Sequence, residues 1–265
     1  MNLQARTRYG QIIFPNQDTF VGRSIKNYGE YCQDLNNALI TFIKNGDCVL
    51  EIGAGIGIFT VLISKLAGSS GKVYAYEPER INFSLLNGNI AINNLNNVYT
   101  TQAMLSDDSK TVIMPELDLS LTTNISGLSL IDVEKNTSGY GVHCYKLDNI
   151  FFNKIDLIKI NVNQMELKVL KGAVDTIKKT RPFLFVNCLD NKNENDIIEL
   201  IKNLDYRIFY HNSFIFNQNN FYENKENVFV KEDRINYQTK NLICVPVEKE
   251  LPIGHNILNL KEFKN

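Results

Sequence analysis

After residue 47 the chain alternates between short apolar runs and segments with an apolar residue every three or four positions. The first pattern suits a buried strand and the second a helix with one apolar stripe. Val49-Leu50-Glu51-Ile52 reads as a strand, residues 57–66 as a helix and 72–76 as a second strand. Residues 80–94 read as a helix, ended by Asn93-Asn94-Leu95-Asn96-Asn97. Strands are expected at 98–105, 155–162, 182–189, 206–211 and 242–247, and helices at 165–178 and 193–204. Two stretches break the rhythm. Residues 106–145 carry Gly127, Gly139, Gly141 and many Ser and Thr, and read as loops plus extra strands, one of them at 141–147. Residues 212–240 read as a long polar loop, rich in Asn with interleaved Phe and Tyr. Repeated strand–helix units predict an α/β fold with a mostly parallel sheet covered by helices on both faces. The last two strands lack a helix between them and predict an antiparallel edge hairpin. No internal repeat or linker divides the 265 residues. One compact unit is expected, a helical or loop cap at 1–46 in front of a main domain at 47–265.

Composition narrows the class. Apolar content of 44% and charged content of 22% suit a globular chain with a sizeable core. A net charge of −1 gives no broad electrostatic footprint for nucleic acid. No apolar run approaches membrane-spanning length. Met1-Asn2-Leu3-Gln4-Ala5-Arg6 lacks the apolar core of a secretion signal, so a cytoplasmic protein is expected. Cys32, Cys48, Cys144, Cys188 and Cys244 are scattered and include no C-x-x-C pair, which suits buried reduced thiols. His143, His211 and His255 are scattered too, and no metal site is expected.

The chemistry concentrates where the first strand of the main domain ends. Gly53-Ala54-Gly55-Ile56-Gly57 follows it directly and opens a helix. Glu77 ends the next strand, about 20 residues beyond the last glycine, the spacing at which an acid reaches a ribose. Glycines let a backbone approach a ligand that a Cβ would hold off. The spacing is G-x-G-x-G rather than the G-x-G-x-x-G of dinucleotide sites. Glu51, two residues before the turn, would repel a pyrophosphate and favour a cation. S-adenosylmethionine carries a ribose, an adenine, a sulfonium and an ammonium, and no phosphate. A methyltransferase is therefore expected rather than a dehydrogenase.

Across nearly its whole length the chain resembles the FkbM-type family, a branch of the class I S-adenosylmethionine-dependent methyltransferases. The resemblance begins at Asp18-Thr19-Phe20-Val21-Gly22-Arg23-Ser24-Ile25 and Tyr28-Gly29-Glu30-Tyr31. It runs through the glycine turn, Glu77-Pro78, Leu105-Ser106-Asp107 and Leu147-Asp148-Asn149-Ile150. Its most specific part is that Leu147-Asp148-Asn149-Ile150 together with Ile155-Asp156-Leu157-Ile158-Lys159-Ile160 and Met165-Glu166-Leu167-Lys168-Val169-Leu170-Lys171-Gly172-Ala173. Arg181-Pro182, Tyr210-His211, Phe216-Asn217, Asn220-Phe221 and Leu242-Ile243-Cys244-Val245-Pro246 complete it. The resemblance implies a Rossmann-like, seven-stranded sheet and S-adenosylmethionine as cofactor. It implies a cofactor site drawn from Tyr28, Glu30, Glu51, Gly53, Ala54, Gly55, Gly57, Phe59, Glu77, Pro78, Ser106 and Asn161. The implied reaction is O-methylation of a hydroxyl on a carbohydrate or secondary metabolite, with no nucleic-acid or membrane partner.

Three positions depart from the family. Members usually carry Asp-Val-Glu-Gly where this chain has Asn161-Val162-Asn163-Gln164, and often a Glu at Asn187. The turn commonly has Asn at Gly55, a milder change. An amide can orient an alcohol but cannot take its proton. Asn161 ends a strand expected beside the cofactor, and either orients the acceptor or caps a loop. His211 has the ordinary pKa of a base, or packs the long loop. Glu166 is a catalytic candidate, or simply an acid favoured at a helix start. Glu30 could meet the cofactor's ammonium, or lie solvated on a helix. Phe214, Phe216, Phe221, Tyr222 and Phe229 could offer faces to a sugar, or pin the loop. The alternatives are a cofactor-binding pseudoenzyme or partner subunit, and an N-methyltransferase, for which the usual Pro-Pro-Tyr is missing. A nucleic-acid or protein methyltransferase would need a basic groove, and the charged runs here are short and mixed.

Overall fold

The computed structural model describes residues 1–117, 138–188, 192–230, 237–252 and 260–263. A hairpin of β1 (Asn2–Arg6) and β2 (Gln11–Pro15) opens the chain. Helices α1 (Val21–Tyr28) and α2 (Gln33–Phe42) follow. Next come β3 (Cys48–Ile52), α3 (Ile58–Ala67), β4 (Lys72–Tyr76), α4 (Arg80–Ile92) and β5 (Val98–Thr101). Strands β6 (Ala103–Leu105), β7 (Lys110–Met114) and β8 (Tyr140–Tyr145) make a separate small sheet, ordered β6-β8-β7. The chain then runs through β9 (Leu157–Ile160), α5 (Glu166–Lys171), α6 (Val174–Thr180), β10 (Phe183–Asn187) and α7 (Glu194–Asn203). It ends with β11 (Tyr206–Phe214), β12 (Gln238–Pro246) and β13 (Lys261–Glu262).

The main sheet has the order β13-β11-β12-β10-β9-β3-β4-β5. Strands β10, β9, β3, β4 and β5 are mutually parallel, and β12 runs antiparallel between β10 and β11. From β3 the chain builds outward through β4 and β5, then returns to add β9 on the other side. The order reverses between β3 and β9, and a crevice outside their carboxyl ends is where such sheets bind ligands.

Alternation along each strand divides the core between two faces. Leu50, Ile52, Ile158, Ile160, Leu184 and Val186 pack with Leu167, Leu170, Ile177, Ile197 and Ile201 of α5, α6 and α7. Val49, Leu157, Phe185, Ile243 and Val245 pack with Leu35, Leu39, Phe42, Phe59 and Ile63 of α2 and α3. Phe42 meets Phe183 and Phe185 edge-on, each at 5.1 Å between ring centres.

The structure corrects several boundaries. The strand expected at 98–105 changes sheets at Gln102, because Ala103 pairs with His143 rather than with β4. The helix expected at 165–178 breaks at Gly172, where a Cβ would come within 1.9 Å of the Ser106 carbonyl oxygen. Asp148 starts the second piece, accepting from Asp175 N–H at 3.2 Å and Thr176 N–H at 2.7 Å. The late hairpin is present, but its second strand β12 lies inside the sheet and β13 adds an eighth strand. Strands β11 and β12 also claim both ends of the loop expected at 212–240. The first 46 residues contain a β-hairpin as well as helices. Gly127, Leu189 and His255 lie outside the described residues, as do parts of 106–145 and 212–240.

Candidate functional site

Between β3 and α3 the backbone turns through Gly53 at φ 80°, Gly55 at φ 56° and Gly57 at φ 87°. L residues with a Cβ rarely adopt this left-handed region. A Cβ on Gly53 would lie 2.0 Å from the Asn161 carbonyl oxygen, so the end of β9 presses directly on the turn. A Cβ on Gly55 would meet nothing within 4 Å, so this glycine faces open space.

The turn is tied to the end of β4. Gly53 and Ala54 N–H groups both donate to the Tyr76 carbonyl, at 2.9 and 3.0 Å. The Glu77 carboxylate accepts from Gly55 N–H at 2.8 Å on one oxygen and from Glu79 N–H at 3.0 Å on the other. Burial pushes this carboxyl up to about 7, helped by the neighbouring Glu79 charge and opposed by the two N–H donors. Beside it lies a narrow apolar slot, of only about 10 Å³, lined by Pro78, Ala103, Met104, Leu105, Val162 and Met165. Its walls are apolar and it lies next to the Glu77 carboxylate. Met104 and Met165 were not foreseen. A methionine inside a strand run or at a helix start carries no sign of a slot until β6 and β9 are brought together.

On the other side of β3, the Asn161 N–H donates to the Ile52 carbonyl at 2.9 Å. Its half-buried side chain has no hydrogen-bond partner among the described residues. Asn161, Gly53 and Glu77 each follow a residue of one paired row, Ile160, Ile52 and Tyr76. The row extends through Asn187 to Asn241 and His211. Amides thus replace carboxylates along the sheet edge nearest the turn.

Other expected site residues serve inside the protein. Glu51 is fully buried against Lys159 at 3.2 Å and accepts from the Thr60 hydroxyl at 2.6 Å. Lys159 stands directly opposite in β9, over the Phe59 ring at 4.3 Å. The pair neutralises Glu51, which corrects its expected role in attracting a cationic ligand. Phe59 serves the same internal cluster. Glu30 is held by Arg8 at 2.6 Å, Asn217 at 2.9 Å and the Phe221 N–H at 2.9 Å. Tyr28 donates to the Glu226 carbonyl at 3.1 Å and accepts from the Val228 N–H at 2.8 Å. Both residues bind the 215–230 segment to the cap. Phe216 and Phe229 pack on Tyr28, and the Tyr222 hydroxyl donates to the Arg6 carbonyl, so these rings pin the segment. Tyr31, edge-on to Phe59 at 5.9 Å, carries the cap onto α3.

Glu166 accepts from the Val162 N–H at 3.0 Å, with further backbone donors from Asn163 and Gln164. It closes a loop in which Asn163 and Gln164 have φ of 47° and 79°, and burial raises its pKa. That position makes it a loop-holding carboxylate rather than a base. His211 lies three strands from Asn161 in the row, about 14 Å at ordinary strand spacing. Transfer of a proton needs hydrogen-bond reach, so from this distance His211 does not reach a group beside Asn161, and it lies buried under the cap. Burial lowers its pKa, against Asp34, which acts to raise it. Ser106 is buried beyond the slot, its N–H on the Tyr145 carbonyl at 2.9 Å and its hydroxyl on Asp107 at 3.1 Å. The structure therefore brings Gly53, Gly55, Glu77, Pro78 and Asn161 together at the carboxyl ends of β3, β4 and β9, whereas Ala54 and Gly57 pack against Leu86 and Ser106 lies buried behind the slot.

The strand order and this crevice define a class I methyltransferase architecture. Residues 51–208 match the family described as Methyltransferase FkbM domain, and the chain belongs to that family of S-adenosylmethionine-dependent methyltransferases. Methyltransferase sdnD of Sordaria araneosa is 26% identical over 181 residues, covering 55% of this chain and 66% of that protein. The catalytic subunit TRM61 of a tRNA (adenine(58)-N(1))-methyltransferase from Yarrowia lipolytica is 38% identical over 66 residues, 25% of this chain and 17% of that one. A methyltransferase FkbM structure from Methylobacillus flagellatus KT is similar at TM-score 0.46 and 16% identity, covering 74% of this chain and 43% of that one. The chain thus spans less than two thirds of each of these relatives. A tRNA methyltransferase among them leaves the expected exclusion of nucleic acid without support. Among the described residues no group of three metal-binding side chains occurs, and no helix is long and apolar enough to cross a membrane.

Proposed function

We propose that this protein transfers a methyl group from S-adenosylmethionine to a hydroxyl on a carbohydrate or secondary metabolite, with the cap at 1–46 closing over the cofactor site. Glu77 takes the ribose hydroxyls, the slot of Pro78, Met104 and Met165 takes the adenine, and the turn at Gly55 takes the methionine portion. The cofactor supplies the activated methyl. Asn161 orients the acceptor opposite it. The observation that carries this reading is the half-buried Asn161 amide at the end of β9, beside the turn and across β3 from Glu77. Much of the rate in such a displacement comes from holding two reactants in line. Asn161 cannot take the acceptor proton, Glu166 is held by backbone donors, and His211 is out of reach. The proton therefore leaves to another group or to solvent, and loss to solvent favours the more acidic hydroxyls of a metabolite over those of a plain sugar.

Asn161→Ala tests the assignment. Turnover should fall while affinity for S-adenosylhomocysteine stays within a few-fold. Unchanged turnover would remove Asn161 from the mechanism. The amides at Asn161, Asn163 and Asn187 favour one second reading, a cofactor-binding subunit without turnover. Wild type inert toward every acceptor, yet rescued by Asn161→Asp with Asn163→Glu, would establish it.

A further inference from the structure

A second cleft, of about 640 Å³, opens on the cap side of the molecule, between the β1–β2 turn, α3 and the segment that carries Phe221. Its lining includes Arg6, Arg8, Tyr9, Gln11, Lys65 and Phe221, and no carboxylate. Lys65 lies seven residues after Ile58, the first residue of α3, so about 10 Å along the helix from the glycine turn. The cleft is thus separate from the methyl-transfer crevice, and nothing said of that crevice bears on it.

The basic side chains here keep unspent donors. Arg8 spends its Nε and one terminal nitrogen on Glu30 and the Asn219 carbonyl. Lys65 spends one N–H on the Tyr9 carbonyl. The Tyr9 hydroxyl accepts from Gln33 at 2.6 Å and keeps its own proton to give. The Gln11 side-chain oxygen is taken by Gln4, which leaves its NH₂. The exposed Arg6 guanidinium has no side-chain partner among the described residues. Three cations face one buried carboxylate, Glu30, in a chain whose net charge is −1. Donors in excess and uncompensated positive charge select an anion with several acceptor oxygens, and Arg forks match phosphate. The volume is that of a small-molecule site and exceeds what one phosphate fills. Tyr9 and Phe221 line it as well.

We propose that this cleft binds a phosphorylated small molecule, a diphosphate ester carrying one flat or sugar ring. The test uses the full chain at fixed ionic strength, saturated with S-adenosylhomocysteine so that adenine-type binding cannot interfere. Calorimetry is run with pyrophosphate, uridine diphosphate and, for bulk ionic effects, sulfate. Pyrophosphate and uridine diphosphate should bind saturably, the second several-fold tighter through its ring. Arg6→Glu with Lys65→Glu should weaken both at least tenfold, with an unchanged melting temperature and unchanged S-adenosylhomocysteine affinity. No saturable heat up to about 10 mM, equal binding of sulfate, or full binding by the charge-reversed variant would overturn the assignment. So would a short RNA that binds through Arg6 and Lys65 while uridine diphosphate does not. Loss of S-adenosylhomocysteine binding in wild type would count against the methyl-transfer reading alone, because uridine diphosphate is then scored by the charge-reversed variant.

Discussion

Glu77 makes the cofactor site sensitive to pH in a way that can be worked out beforehand. Its carboxyl is buried and pushed up to about 7, while it should titrate in the ordinary range, near 4.5, in the unfolded chain. Ribose hydroxyls are donors, and only the ionised carboxylate offers both oxygens to them. If binding needs that form, each pH unit below 7 costs close to tenfold in affinity. Between pH 8 and pH 6 the apparent Kd should rise about tenfold, and by pH 5 about a hundredfold. Glu77→Gln keeps the shape and removes the charge. At pH 8 it forfeits charge-assisted bonds worth about 1.5–3 kcal/mol, and its affinity should no longer change with pH on this account. Calorimetry with S-adenosylhomocysteine from pH 5 to 8, on both proteins, measures the difference.

The same group gives a stability test of opposite sign. A folded pKa above the unfolded one means stability is fully present below about 4.5 and is lost as pH rises through about 7. Ionised Glu77 should cost on the order of 3 kcal/mol in the free protein at pH 8. Glu77→Gln should therefore melt higher than wild type at pH 8 while binding cofactor more weakly. A variant that binds as wild type at pH 8, or a wild-type affinity flat from pH 8 to 5, would refute the reasoning.

Lys159→Met should leave Glu51 buried without its cation and cost about 3–5 kcal/mol in a denaturant titration, while Glu51→Gln with Lys159→Met should recover most of that loss. Equal destabilisation by the single and double variants would show that the pair's packing, not its charge, matters. His211 titrates below its ordinary value in the fold, so its contribution is present above about 6.5 and is lost as pH falls. His211→Gln should lose less stability than wild type between pH 7 and 5 in thermal melts. Chelator should leave cofactor binding and turnover unchanged, given the absence of clustered ligands among the described residues; restoration of activity by a divalent ion would contradict this.

The alternating strands and helices of the main domain were legible because each carries its own period. Val49 and Leu50 had to face opposite layers, and both found helices there. What local pattern could not show is where the chain changes partner. Residues 98–105 are apolar enough for one strand, yet Gln102 hands the chain from β4 to β8. Residues 165–178 have helical spacing throughout, yet the Ser106 carbonyl leaves no room beside Gly172 for a helix to pass uninterrupted. Both breaks arise from contacts between segments far apart in sequence. The extension of β11 was hidden differently, since the buried positions of residues 211–214 are His211 and Ser213 while Phe214 is exposed, so the sequence carries no apolar alternation there.

The site divides along the same line. The placement of Gly53, Gly55 and Glu77 was readable because it follows from backbone shape and from a fixed distance between two neighbouring strands. Glu51, Glu30 and Glu166 were harder to read for one shared reason: a carboxylate in a motif looks like a ligand group until its partner is known. The partners are Lys159, Arg8 and the backbone of residues 162–164, and only the fold brings them together. Their removal from the list sharpens the chemistry that remains. A buried pair under the turn, a clamp on the cap and a nested loop are scaffold, and they hold Asn161 beside the turn. On the proposed reading, an amide there contributes orientation to methyl transfer and leaves the acidity of the acceptor to decide how fast a proton can go.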